Sequence, residues 1–414
     1  MTSFLKQPRF YLAVVLTCGC GCVSVPCFAD DEQVQDREVF RTVVDGVDVE
    51  IYVPEVVEVF RGALLHSANA SLKTHGRWAE LCKRQRWVHV VTTMQNVRKQ
   101  GNRGPRLHRA AVEGLQRCGT ARAHPELKYA PLIGVGHSAG GLVTRVLDRE
   151  ASRAVAYAID CSWVVKTESI SAEFTRVPAL FTMGELPDAF KMLPAIPANY
   201  DPARKQGLPW GLGLQPGCKH DWGNAGTMMV PFIKGVAAFR IPADWDPRTG
   251  PAMLAEMKQE DGWLGDRSTM GSHLSRIAAW SDYTGDKSRA AWFPDRATAY
   301  VWRAWCSKFP PVQLNAKTTD GTHQLTVYKK RQGISMYPEA GQDIELGVLV
   351  NDSVELQSAR YYSGDALLGE VTAAPWTWVW KAPANDSHAV FVEWTLADGT
   401  KGVSNPALIT VVAR

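Results

Sequence analysis

After its first thirty positions the chain of 414 residues has no apolar run long enough to cross a bilayer, so no transmembrane segment is expected in the mature protein. It lacks a charge excess as well. Forty-six Lys and Arg against 42 Asp and Glu leave a net charge of +4, scattered along the chain, which argues against a nucleic-acid partner. Internal repeats and low-complexity tracts are absent. The cysteine spacings suit neither a zinc site nor a redox pair, and no motif calls for a metal or an organic cofactor.

At the start, Lys6 and Arg9 precede an apolar run from Phe10 to Leu16, and small residues lead to Cys27-Phe28-Ala29. This pattern predicts a signal peptide over residues 1–29, cleaved before Asp30, and export to the periplasm, the cell surface or the medium. Acylation at Cys18, Cys20 or Cys22 is the rival reading, but none has leucine three positions before it. The mature chain keeps Cys82, Cys118, Cys161, Cys218 and Cys306, which allow up to two disulfides or a set of buried free thiols. The length predicts two domains.

The stretch around which the rest is organised is Pro131-Leu-Ile-Gly-Val-Gly-His-Ser-Ala-Gly-Gly-Leu-Val143. A buried strand at Leu132–Val135 runs into Gly136-His-Ser-Ala-Gly140, and a helical pattern with Val143, Val146 and Leu147 on one face follows. Glycines two residues either side of a serine, between strand and helix, make a nucleophile elbow that lifts Ser138 Oγ clear of the sheet. Around it the chain alternates. A hairpin over Val39–Val53 leads to a strand at Gly62–His66, and helical spacing follows at Trp78, Leu81 and Cys82. Trp87–Thr92 is a strand, Arg106–Arg117 a helix, and Ala154–Ile159 and Val177–Thr182 are further strands. This order predicts an α/β class, a mostly parallel sheet with helices on both faces and a site at the carboxyl ends of its strands.

A serine hydroxyl needs a base. Chain order in this architecture, serine then acid then histidine, selects His220 in Gly217-Cys-Lys-His-Asp-Trp-Gly223; His137, inside the elbow, is expected to point away from Oγ. The acid should follow the Val177–Thr182 strand, where Asp188 is the first candidate, Glu185 its rival and Asp160 a third. Oxyanion donors are expected from the Ala139 N–H and from Ser67 or Ala68 after the Gly62–His66 strand. Asn69, His137, Trp210 and Trp222 are candidates for touching substrate, the two tryptophans as stacking platforms for sugar or aromatic rings.

On Ala63-Leu-Leu-His66, Gly136-His-Ser-Ala-Gly140, Pro178-Ala-Leu-Phe-Thr-Met-Gly-Glu185 and Gly217-Cys-Lys-His220, residues 38–240 resemble the α/β-hydrolase superfamily. Within it they look like secreted esterases of the poly(3-hydroxybutyrate) depolymerase, feruloyl or acetylxylan esterase and dienelactone hydrolase kind. The resemblance implies that fold, with Ser138 as nucleophile, His220 as base and the acid at Asp188 or Glu185. Two departures stand out. The strand end that usually reads His-Gly is His66-Ser67 here, and Pro187 occupies the place where the acid usually lies.

The α/β-hydrolase domain is read as 30–311, its last part, 241–311, being a tryptophan-rich extension packed on the sheet. Helices are expected around Met253 and Met257 and over Ala299–Trp305. Core packing is the default role for the tryptophans. From 312 to 414 the period changes to two: Ile344–Val350, Val354–Tyr362, Trp376–Trp380, Ala389–Thr395 and Leu408–Val412 predict an antiparallel sandwich. Residues 359–412 resemble immunoglobulin-like modules of bacterial secreted enzymes, which implies spacing, docking to a cell surface or polymer, or holding substrate. The expectation is an exported serine esterase acting on carbohydrate-linked esters, a polyester or a small ester. A lipase or peptidase on the same scaffold, or an inactive fold serving adhesion, are the alternatives.

Overall fold

The computed structural model describes residues 38–55, 57–68, 77–93, 103–186, 193–328, 333–383 and 386–412. Strands β1 (Val39–Val44) and β2 (Val47–Tyr52) form the hairpin, turning on Asp45 and Gly46, both at positive φ. The chain then runs β3 (Gly62–Ala68), α1 (Arg77–Gln85), β4 (Trp87–Thr93), α2 (Arg103–Ala121), β5 (Leu132–His137) and α3 (Val143–Arg149). It continues with β6 (Ala154–Asp160), the one-turn α4 (Ala172–Thr175), β7 (Ala179–Gly184), the short α5 (Asp201–Lys205), β8 (Trp210–Gln215) and α6 (Ala225–Arg240).

These strands form one eight-stranded sheet in the order β1-β2-β4-β3-β5-β6-β7-β8. From β3 to β8 every pairing is parallel; only β1 and β2 run against their neighbours. Burial of β3, β6 and β7 along their whole lengths is what a parallel sheet covered on both faces requires. On α2 the buried positions Leu107, Ala110, Ala111, Gly114, Leu115 and Cys118 fall on one stripe, and Gly114 lets Val49 of β2 sit against the helix axis. No helix among the described residues is long and apolar enough to cross a membrane.

The tryptophan-rich segment covers the β8 edge. It holds a small sheet of β9 (Trp263–Gly265), β10 (Ile277–Ala279) and β11 (Ala291–Phe293), then α7 (Arg296–Trp305). Trp292, Trp302 and Trp305 are buried, and each indole N–H reaches a backbone carbonyl, at Gln259, Leu212 and Asn224 respectively. Glycines in β8 make room for them: a Cβ on Gly211 would collide with the Trp292 carbonyl, and one on Gly213 with the Trp305 ring. The helix expected around Met253 and Met257 is absent; residues 251–258, beginning at Pro251, form no regular secondary structure, and Met253 lies in solvent. Pro251 and the lack of a buried stripe explain the difference.

The remaining strands are β12 (Val312–Thr318), β13 (Thr326–Tyr328), β14 (Gly333–Met336), β15 (Asp343–Val350), β16 (Leu356–Ser363) and β17 (Ala366–Val371). They end with β18 (Trp378–Lys381), β19 (Asp386–Leu396), β20 (Lys401–Val403) and β21 (Ala407–Val411). A sheet of β12-β15-β18 faces a larger one of β13-β14-β21-β19-β16-β17, with β20 on β19. Among the named strands there, only β14 and β21 pair in parallel. Val312, Leu314, Ile344, Leu346 and Trp380 of one sheet share a core with Tyr361, Val390, Val392, Trp394 and Ile409 of the other. The alternate residues of the larger sheet, Tyr362, Ala389, Phe391 and Leu408, join the core of the α/β unit. Strand β19 is therefore a wall between two cores, and the β unit is built onto α1, α6 and α7 rather than tethered to them.

Candidate active site

Strand β5 ends at His137, and Ser138 follows with φ at 54°, in the left-handed region that a non-glycine residue adopts only under constraint. Two glycines create the constraint. A Cβ on Gly136 would run into the Gly140 carbonyl, and one on Gly140 into the carbonyl of Ser67 on β3. The bend presents Ser138 Oγ at the carboxyl edge of the sheet, 2.8 Å from His220 Nε2, although 82 residues separate the two. The sequence-predicted nucleophile and base are thus brought into hydrogen-bond contact.

His220 sits in the loop between β8 and α6. This loop lies flat against the end of β7, because a Cβ on Gly184 would overlap the carbonyls of Cys218 and Lys219. Leu186 N–H donates to Cys218 O at 2.9 Å, and Glu185 N–H to Gln215 O at 3.0 Å. Cys161 and Cys218 each aim a thiol at the Asp221 carbonyl, both at 3.8 Å. Cys82, Cys118, Cys161, Cys218 and Cys306 are all free and buried. Burial, helped by nearby carboxylates, pushes the Cys218 thiol up to about 12 and Cys161 higher still, so neither is a thiolate that rivals Ser138.

The acid candidates separate. Asp188 lies outside the described residues, as does Asn69. Glu185 accepts from Lys308 Nζ at 2.7 Å and, through its other oxygen, from Gly217 N–H at 3.2 Å. Asp160 bonds His137 Nδ1 at 2.7 Å and accepts from Thr182 Oγ1 at 2.7 Å. Burial raises the Asp160 carboxyl above the ordinary aspartate range, and the His137 hydrogen bond pulls it part of the way back. Both described carboxylates therefore serve groups other than His220.

Where oxyanion donors were expected, Ala139 is the second residue of the 3₁₀ turn Ser138–Leu142 that leads into α3. Ser67 is buried, with its hydroxyl paired to Thr92 Oγ1 at 3.1 Å, so only its backbone faces the elbow. Strand β3 extends through Ser67 to Ala68, where the strand was expected to stop at His66, because both residues pair with β4.

The expected substrate contacts need correction. Trp210 is fully buried as the first residue of β8 and packs on Phe181, so it is no platform for a ring in solvent. Trp222 stays beside the site, but His66 stacks on it at 6.0 Å, and its ring meets His137 at 5.5 Å edge to face. His137 lies 5.1 Å from the His220 ring, tied to Asp160 rather than to Ser138. The sequence reading missed the Asp160–His137 pair and the Lys308–Glu185 contact; no local pattern marks either. One group among the described residues could offer a metal three ligand atoms, His137, Asp160 and Cys161, within 4.8 Å of one another.

No family model matches the chain. No curated protein matches it either. Among solved structures, a cold-adapted esterase from an Arctic intertidal metagenomic library is 15% identical, with 47% of this chain and 90% of that one covered at a TM-score of 0.34. An esterase of Pyrobaculum calidifontis is 13% identical over 50% and 87% at 0.37, and the Francisella virulence factor BioJ 13% over 52% and 81% at 0.33. The fibronectin(III)-like modules of Clostridium thermocellum CbhA are 26% identical over 18% and 84%, at 0.17.

Proposed function

We propose that the chain is an exported serine hydrolase of the α/β-hydrolase type that cleaves carboxylic esters, with an immunoglobulin-like C-terminal sandwich. The observation that carries this reading is the 2.8 Å contact from His220 Nε2 to a serine held at positive φ on a glycine-flanked bend. In the reaction Ser138 Oγ attacks the ester carbonyl while His220 takes its proton. The Ala139 N–H and a backbone donor near Ser67-Ala68 hold the oxyanion. Collapse expels the alcohol with the proton from His220, and water, deprotonated by the same imidazole, then releases the acid. Asp188 is assigned as the residue that orients His220, because Glu185 and Asp160 have other partners.

The lean toward carbohydrate esters loses support from the tryptophans, since Trp210, Trp292, Trp302 and Trp305 are packing residues. The substrate class is accordingly a carboxylic ester, with polysaccharide-linked and polyester substrates as its subdivisions. A panel of p-nitrophenyl esters of rising acyl length, acetylated xylan, methyl ferulate and a polyhydroxybutyrate film tests this. Turnover of at least one member is expected, falling by about six orders of magnitude in Ser138→Ala. A wild type inert to all of them, or turnover surviving in the variant, counts against the reading.

A further inference from the structure

We propose that Glu185 is a positioning residue which, together with Lys308, fixes the loop carrying His220 and ties it to the junction with the C-terminal sandwich. This rests on the serine-hydrolase reading. Glu185 follows Gly184 at the end of β7, and three bonds join this corner to the last residue of β8 and to the base loop that follows it. Two are main-chain, from Glu185 N–H to Gln215 O and from Leu186 N–H to Cys218 O. The third is the Glu185 carboxylate accepting the N–H of Gly217, three residues before His220. Gly217 has φ at 68°, so it marks the point where the loop turns, and the carboxylate fixes the direction of that turn.

The other carboxylate oxygen is held by Lys308 at 2.7 Å, 123 residues away in sequence. Lys308 lies in the short passage from α7 to β12, and Phe309 beside it, at φ 47°, packs its ring against Gly217. That passage is pinned from the sandwich side: Asn405 donates to Ser307 O at 2.8 Å. A continuous path thus runs from Asn405 through 307–309 to Glu185, Gly217 and the base loop.

Lys308 and Glu185 keep 41% and 35% of their side-chain surface in water, so their mutual attraction contributes little to global stability. What the pair supplies is orientation. Small displacements of a catalytic group cost far more in rate than in folding. The signature is therefore a loss of kcat without a matching loss of thermal midpoint.

The test compares Lys308→Met, Lys308→Arg, Glu185→Ala and the Glu185→Ala/Lys308→Met double variant in the full chain. It reads kcat and KM on the best ester of the panel, together with hydrogen–deuterium exchange of the peptide covering 215–223. Expected are a fall in kcat of about tenfold in Lys308→Met and more in Glu185→Ala, KM within about twofold, and recovery of most of the activity in Lys308→Arg. The double variant should be no worse than Glu185→Ala alone, with faster exchange of the loop in every variant except Lys308→Arg. Wild-type kcat and exchange in Lys308→Met overturn the proposal, and that exposed substitution decides should Glu185→Ala fail to fold. A loss above about a thousandfold in Glu185→Ala with Asp188→Asn still active also overturns it, because Glu185 would then be the triad acid. A wild type without esterase activity whose loop still loosens in Lys308→Met removes the hydrolase reading and leaves the strut standing.

Discussion

The elbow after β5 and the strand β19 are both places where chain segments crowd together, yet they are crowded in opposite ways. At the elbow the sequence removes side chains: Gly136, Gly140 and Gly184 let three backbones approach until no added atom fits. At β19 it adds them, alternating Val390, Val392 and Trp394 into one core with Ala389 and Phe391 into the other. The first arrangement fixes positions to a fraction of an ångström and the second fills volume. The proposed chemistry depends on the one and cohesion on the other, so substitutions in the two regions should fail differently.

The sharpest contrast is expected from Gly184→Ala. Its Cβ would overlap the Cys218 and Lys219 carbonyls, so the His220 loop must shift. A drop in kcat of about a hundredfold is expected, with a stability loss of only about 1–3 kcal/mol from overpacking. Steady-state kinetics beside a denaturant titration checks it; full activity would mean that the loop contact does not set the base.

Next in size is Phe391→Ala on the other side of the comparison. Phe391 is fully buried in the core shared with the α/β unit and stacks on Tyr362 at 5.6 Å. Truncation should cost about 3–5 kcal/mol while the folded fraction keeps wild-type kcat. Calorimetry should show one transition for wild type and variant alike. A sandwich melting alone, with activity outlasting it, would show that the shared wall does not couple the two units.

The sequence made these two regions legible to different depths. The elbow could be read because the bend demands glycine at fixed places, and His220 because chain order leaves few histidines after the serine. Strand β8 was hidden: Trp210-Gly-Leu-Gly-Leu-Gln215 looks like a loop until Trp292 and Trp305 are seen to fill the space over its glycines. With that strand unread, Trp210 was weighed as a stacking platform although it is fully buried. In the sandwich, period two revealed strands. The unbroken apolar run Ala389-Val-Phe-Val392 carried the further message that both faces of β19 are covered, and only the structure shows by what. Glu185 was weighed as an acid because its position after the strand is local information, whereas its partner Lys308 is not.

The smallest effect concerns an exposed loop of the sandwich. Hydrogen bonds from Thr318, Thr322 and Gln342 hold the exposed Asp320 carboxyl well below the usual aspartate range. A lowered folded-state value means stability present above the unfolded value and lost as pH falls through the folded one, from about pH 4 downward. Asp320→Asn should lower stability slightly at neutral pH and flatten its decline in acid, leaving kcat unchanged. Denaturant midpoints between pH 7 and pH 2 check this, and parallel curves for variant and wild type would contradict it.

In the proposed reaction one serine, made accessible by a strained bend and activated by His220, does the chemistry. Reaction with a fluorophosphonate followed by peptide mass spectrometry measures it most directly. One adduct per chain, on Ser138 and greatly slowed in His220→Ala, is the predicted result. An unmodified Ser138 in folded protein, or an adduct at another residue, would contradict it.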